Sequence, residues 1–259
     1  GVSDLRENYS ARQSNRFYAS DGTLIGETYV ERRSVVPMSD VPRDVVGAVL
    51  GAEDAEFFRH RGLDYPGILR AMLINLRKGR AAQGASTITQ QVVRTFYLGR
   101  EKTASRKFKE LLLARRLEQN LSKEEILYLY LNQIYFGHGR YGIQEASRYY
   151  LGKDVGDVDL AGAALLAGLP KGPEIYSPFK NHGKARARRD WVLDMMAEHG
   201  LADRARTDAA KLEPVPERQP PGPDPDLGPE FVDEAQRMLL ALVGKDEASR
   251  GGYQVWTTM

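Results

Sequence analysis

Apolar positions change their spacing along this chain. Residues 15–36, "NRFYASDGTLIGETYVERRSVV", hold two short β-prone runs around Asp21-Gly22, the dipeptide that type I′ turns favour, and predict a β-hairpin. From "SDVPRDVV" onward the spacing becomes helical, with Asp40 as the expected N-cap and Pro42 in the first turn. Helices are then expected with few breaks to about residue 212. Ser122 and Glu125, three residues apart, form a capping box that fixes one helix start. The longest apolar run, "LAGAALLAGLP" at 160–170, is shorter than the roughly 18–20 residues that cross a bilayer and predicts a buried helix.

Beyond this helical stretch the pattern breaks. Residues 213–229 contain seven of the 13 prolines and read as an extended connector. A short helix at about 230–243 and a β-prone "GGYQVWTTM" follow, and the strand needs a partner from the N-terminal hairpin or from another domain. The expected organisation is an N-terminal segment with hairpin (1–36), a helical domain (37–212) and a connector, helix and strand (213–259).

Composition adds bounds. A chain of 259 residues, 42% hydrophobic and 28% charged, can bury one large core. It has no cysteine, which excludes disulfides and thiolate metal sites, and its four histidines lack zinc spacing. The net charge of +2 conceals residues 100–120, which carry seven Lys or Arg against three Glu. That cluster suits an anionic partner, and no nucleic acid is expected. No signal peptide opens the chain, and its two ends favour a piece of a longer protein.

Candidate chemistry centres on "GAEDAEFFRH", 51–60. On a helix over 43–58, Val45, Val46, Val49 and Leu50 mark the inward stripe, and Glu53 and Phe57 fall on it next. A carboxylate among apolar neighbours loses hydration and gains a pKa useful to a general base, unless the helix end turns it out to solvent. Asp54 points off the stripe as a hydrogen-bonding partner, and His60 reads as a helix cap or a third catalytic member.

In "GASTITQQVVRTF", 84–96, Ser86 is the expected N-cap, Ile88, Val92, Val93 and Phe96 form the apolar face, and Thr87, Gln90, Gln91 and Arg94 form the polar one. Such a helix start suits an anion, and its amides and hydroxyls suit sugar hydroxyls; an ordinary amphipathic helix with a polar outer face fits equally. Glu110 shares a helix face with Arg106 and Lys107, either as surface ion pairs or as a cation cluster for phosphate, in which Glu110 orders the cations or holds a divalent metal. Paired glutamates also suit a glycosidase, but Glu110 among cations should stay charged, which favours a pyrophosphate leaving group over one needing a proton. In "PGILRAMLINLRKGRA", 66–81, an apolar stripe with basic flanks fits either core or an anionic membrane surface.

The order of "EDAEFFRHRGLD", "GASTITQQVVRTF", "RKFKELLLARRLE" with "SKEEILYLYLNQIYFG", "AALLAGLPKGPEIYSP" and "RRDWVLDMM" resembles the five motifs of the peptidoglycan glycosyltransferases (glycosyltransferase family 51) over residues 15 to about 200. The ends resemble the junctions of a class A penicillin-binding protein, between a membrane anchor and a transpeptidase domain. The resemblance implies a mainly α, lysozyme-like fold with a large lobe and a small membrane-associated jaw at about 63–83. It also implies polymerisation of lipid II at the outer face of a bacterial membrane, with inversion and release of undecaprenyl pyrophosphate. Carried over by position, Glu53 matches the general base and Glu110 the second glutamate. Ser86, Gln90, Arg94, Arg106 and Lys107 match pyrophosphate or sugar contacts, and Asp54, Phe57, Thr87, Gln91 and Asn132 complete the pattern. The implied partners are lipid II, the growing glycan, the membrane surface and a transpeptidase domain, with Mg²⁺ or Mn²⁺ as the metals to consider and no organic cofactor. Two positions depart from the pattern: Ala85 stands where a second glycine is usual, and Arg94 where lysine is common.

Overall fold

The computed structural model describes residues 13–28, 32–78, 86–98, 103–220 and 229–258. Gly84, Ala85 and the end of the expected jaw, 79–83, lie outside the described residues. Helices dominate: α1 Arg43–Glu53, α2 Tyr65–Lys78, α3 Ile88–Tyr97, α4 Ala104–Asn120, α5 Lys123–Gln133 and α6 Ile143–Leu151. They are followed by α7 Leu160–Gly168, α8 Pro173–Tyr176, α9 His182–Glu198, α10 Arg204–Ala210, α11 Pro229–Val243 and α12 Lys245–Arg250. The strands are β1 Asn15–Tyr18, β2 Leu24–Thr28, β3 Arg32–Arg33, β4 Tyr135–Gly137, β5 Arg140–Tyr141 and β6 Gln254–Trp256. The mainly α class expected from the pattern is the observed one.

At the centre is α7, buried along its whole length. Asp159 caps it by accepting from Gly162 N–H at 2.7 Å, and α1 and α9 pack against it. Small residues set these distances: a Cβ at Gly47 or Gly51 would come 3.3 Å from Met196 of α9. The core of Val45, Val49, Leu117, Ile126, Leu131, Ile143, Leu166 and Val192 joins α1, α4, α5, α6, α7 and α9. Ser122 and Glu125 form the capping box that opens α5.

Three expectations about local structure are corrected. Asp40 lies in a short 3-10 turn, Met38–Asp40, and the N-cap of α1 is Pro42. The hairpin closes through a loop over residues 19–23 rather than a two-residue turn; Asp21 accepts from Thr23 N–H at 2.8 Å and Gly22 has φ +87°. Helices do not continue through "YFGHGRYG": β4 and β5 pair antiparallel there, with Gly137, Gly139 and Gly142 all at positive φ.

The terminal strand finds its partner in the hairpin. β6 runs parallel to β1 in a sheet of order β2-β1-β6, covered by α11 around Phe17, Ile25, Ala235 and Leu239. A buried carboxylate fastens this sheet to the helical core: Glu145 accepts from Arg16 Nη2 at 2.9 Å and from Ser34 Oγ, with Arg148 Nη1 at 3.5 Å. The start of the connector also docks, since Arg189 donates to the carbonyls of Glu213 at 2.6 Å and Lys211 at 2.9 Å.

In contrast, α2 presents apolar side chains to solvent: Tyr65, Leu69, Met72, Leu73 and Leu76 are all more than half exposed. Among the described residues no helix is long and apolar enough to cross a membrane.

Candidate active site

A cavity of about 1010 Å³ opens where α1 ends, lined by Glu53 and Asp54, by Ser86, Thr87, Gln91 and Arg94, and by residues of 170–199. The end of α1 places its carboxylates by stopping early. Instead of running to 58, the helix stops at Glu53, and Asp54 leaves helical geometry at φ −164°, ψ 75°.

Asp54 is the anchor of that stop. Its Oδ2 accepts from the backbone N–H of Ile88 at 3.0 Å, and His60 Nε2 donates to both carboxylate oxygens at 2.9 and 3.0 Å. One side chain thus joins the end of α1, the turn after it and the N-terminus of α3. His60 is thus the partner of Asp54 rather than a helix cap, and it does not line the cavity. Phe57, expected on the stripe of α1, is fully buried beneath the turn with Lys123 Nζ 4.3 Å from its ring centre, and it is not part of the cavity lining.

The start of α3 is one residue later than expected. Thr87, not Ser86, is the N-cap: it accepts from Gln90 N–H at 3.2 Å, Gln90 Oε1 accepts from Thr87 N–H at 2.9 Å, and Thr87 Oγ1 donates to Gly62 O at 2.8 Å. Gln90 is thereby spent on the cap and is 1% exposed, away from the cavity lining. Ser86 is freed from capping, lines the cavity and accepts from Lys107 Nζ at 3.2 Å. Asn132 is likewise structural: fully buried, it exchanges hydrogen bonds with Val36 N–H at 2.9 Å and Val36 O at 3.0 Å.

Glu53 meets the condition for a base. Half-buried in the cavity wall, its Oε2 accepts from Gln91 Nε2 at 2.7 Å. Burial raises its pKa above the ordinary carboxylate value, and the Gln91 bond and the charges of Arg188, Lys171 and Arg94 pull back only part of that rise. The reading of Glu53 as a helix end turned out to solvent is displaced. Tyr130 of α5, also buried, has its phenol held well above its usual value, by burial first and then by Glu53.

Glu110 stands apart from the lining. It is 1% exposed, paired with Lys107 Nζ and with Arg106 Nη1 at 4.0 Å, while its Oε2 accepts no hydrogen bond. Lys107 therefore links a buried carboxylate to Ser86 at the cavity edge. The near neighbours of Glu110 are cations, and no cluster of three carboxylate or imidazole groups exists among the described residues.

Sequence periodicity missed the 170–199 part of the lining: Lys171, Ile175, Tyr176, Arg188, Trp191, Met195 and His199. The motifs "LPKGPEIY" and "RRDW" contain most of them, but no spacing ties these residues to Glu53. Arg188 is 8% exposed, its guanidinium 4.0 Å from the Trp191 ring centre and 5.7 Å from that of Tyr176. Burial lowers its pKa and that of Lys171, and Glu53 opposes the fall in both. The cavity thus combines a desolvated carboxylate with cations on two of its walls, an arrangement suited to deprotonating a hydroxyl while stabilising an anionic leaving group.

Comparisons with known proteins identify the family of the chain. The chain is 43% identical over 252 residues to penicillin-binding protein 2D of Bacillus subtilis, a match covering 95% of this chain and 36% of that protein. Penicillin-binding protein 1A of Pseudomonas aeruginosa is 39% identical over 94% of this chain and 30% of its own length. The chain thus spans about a third of the length of these curated relatives. The crystal structure of penicillin-binding protein 1A from Haemophilus influenzae shares the fold, with a TM-score of 0.53 and 24% identity over 97% of this chain and 28% of that one. The transglycosylase family model matches residues 21–197, and the chain belongs to that family.

Proposed function

We propose that this chain is a peptidoglycan glycosyltransferase that polymerises lipid II. The observation that carries the reading is Glu53: a carboxylate with a raised pKa, hydrogen-bonded to Gln91 and facing Arg94, Lys171 and Arg188 across one cavity.

In this mechanism Glu53 takes the proton from the 4-hydroxyl of the acceptor GlcNAc as that oxygen bonds to C1 of the donor MurNAc. The bond from C1 to the pyrophosphate oxygen breaks with inversion, and undecaprenyl pyrophosphate leaves with the electron pair. Arg94 and the Arg106–Lys107–Glu110 set, joined to the cavity edge at Ser86, supply positive charge for the pyrophosphate. Asp54 and His60 hold the base in place through Ile88. Glu110 among cations is unsuited to donating a proton, which separates this reaction from glycoside hydrolysis.

The exposed side of α2 fits the membrane surface from which a polyprenyl substrate would enter. The protein would then act on the outer face of a bacterial membrane, and the greater length of its relatives accommodates an anchor and a transpeptidase domain. Labelled lipid II should yield glycan polymer sensitive to moenomycin with this chain and none with Glu53→Gln. Polymer from the Glu53→Gln chain, or digestion of finished glycan by the unmodified one, would overturn the reading. Replacing Leu69, Leu73 and Leu76 together by Ser should weaken binding to anionic vesicles in a sedimentation assay, by about 10³-fold or more if each Leu contributes roughly 1.5–3 kcal/mol on burial.

A further inference from the structure

We propose that Trp191 is the platform of a saccharide subsite in the 170–199 part of the cavity, its indole taking the C–H face of the acceptor's hexosamine ring and Arg188 its polar edge. This deepens the reading above and rests on it.

Trp191 lines the cavity and keeps 38% of its surface exposed although it sits on α9, whose neighbouring residues Val192 and Leu193 are fully buried. Its ring is braced by Arg188, one helical turn earlier, at 4.0 Å. Arg188 is fixed in turn: a Cβ at Gly168 would meet its Cγ at 2.9 Å, and its Nε donates to Gly168 O at 3.5 Å. The close approach of α7 and α9 therefore lays the arginine stem across a glycine and presents guanidinium and indole together.

A pyranose ring is amphipathic in the same sense. One face offers C–H groups to an aromatic surface, and its rim offers hydroxyls and an acetamido carbonyl to a donor fork. A polyprenyl chain would need an unbroken apolar lining, but Lys171, Lys184 and Arg188 interrupt the apolar residues here. The subsite also shares its cavity with the base, since Glu53, Lys171, Arg188 and Trp191 line the same space. A sugar on Trp191 is accordingly the one whose hydroxyl must reach Glu53.

The chain has two tryptophans, and the other, Trp256, stacks on Tyr18 in the terminal sheet at 5.1 Å. Trp256→Phe leaves Trp191 as the sole indole fluorophore. Titrating that variant with the soluble disaccharide GlcNAc-MurNAc should give a saturable change in emission. In polymerisation assays Trp191→Ala should raise KM about 3- to 10-fold with kcat within about twofold, and Trp191→Tyr should recover most of the loss. Flat emission from a Trp256→Phe chain that still polymerises lipid II overturns the subsite and leaves the glycosyltransferase reading intact. Saturable emission from a chain that makes no polymer does the reverse. Should Trp191→Ala fail to fold, the emission titration, which keeps Trp191, decides alone.

Discussion

Two parts of the cavity lining, residues 86–94 and residues 170–199, serve the same carboxylate by different physical means. The first is fixed by short hydrogen bonds: the Thr87–Gln90 box, Thr87 to Gly62, and the Asp54 carboxylate on Ile88 N–H. The second is fixed by packing, with Arg188 laid over Gly168 and held between Trp191 and Tyr176. Hydrogen bonds restrict direction and position a reacting group closely, whereas stacked aromatics restrict depth and tolerate sliding. In the proposed reaction the 86–94 part holds the base and the leaving group, and the 170–199 part receives a ring.

Removing the group that both parts face gives the largest expected effect. Glu53→Gln should lower kcat for glycan synthesis by about 10²- to 10⁴-fold, the usual contribution of a general base. A smaller loss would mean that neither part is organised around proton transfer.

The two parts are separated next. Lys107→Met removes the brace between Ser86 and Glu110, and Arg188→Leu removes the cation stacked on Trp191; each should lower kcat/KM by about 10- to 100-fold, the worth of a charge-assisted hydrogen bond. The difference lies in how the loss divides: kcat should fall with Lys107→Met, and KM should rise with Arg188→Leu. Identical partitioning in steady-state kinetics would erase the distinction.

A finer test uses pH. Glu53 must be ionised to accept a proton, so activity rises as pH climbs through its raised pKa. Because the Gln91 bond lowers that pKa, Gln91→Leu should move the acid limb of the pH–rate profile to higher pH, with less than about a tenfold loss at neutral pH. A limb that stays put would place Gln91 outside the tuning of the base.

The smallest effect is on stability, and it runs opposite to activity. Below the ordinary carboxyl pKa of 4.5 Glu53 is protonated in both folded and unfolded chains and contributes nothing. As pH rises through 4.5 and on through the higher folded value, the unfolded chain loses its proton first, so the folded state loses stability across that window. Glu53→Gln should therefore raise the melting temperature at neutral pH and not below pH 4.5, by roughly 2–4 °C for each kcal/mol regained at this chain length. Unchanged melting at both pH values would argue against a desolvated carboxylate.

How much of this was legible in the sequence follows from the same contrast. The Thr-x-x-Gln spacing at 87–90 and the Ser-x-x-Glu spacing at 122–125 are both local signals, yet the former is ambiguous, because two adjacent hydroxyl residues, Ser86 and Thr87, compete for one N-cap position. Periodicity placed Glu53 against the apolar interior but extended its helix to 58, since the stop depends on Asp54 reaching Ile88, a residue 34 positions away. Gln90, Asn132 and Phe57, expected at the substrate, are buried outside the cavity lining, and a buried polar or aromatic group gives the same local pattern in either place. Lys171 and Arg188 arrive through the packing of α1, α7 and α9, a long-range event with no signature in spacing.

The pairing of β6 with β1 bears on how the chain reaches its fold. Tyr18 O accepts from Thr257, 239 residues further along, and Asn15 bonds to Ala248 O across a separation of 233. During synthesis the hairpin must therefore keep an open strand edge until nearly the whole helical domain has left the ribosome, a high-contact-order closure that comes late. Co-translational assembly would thus begin with the catalytic cavity and finish with the sheet, so that a chain interrupted before Gln254 could retain its base while exposing a sticky edge.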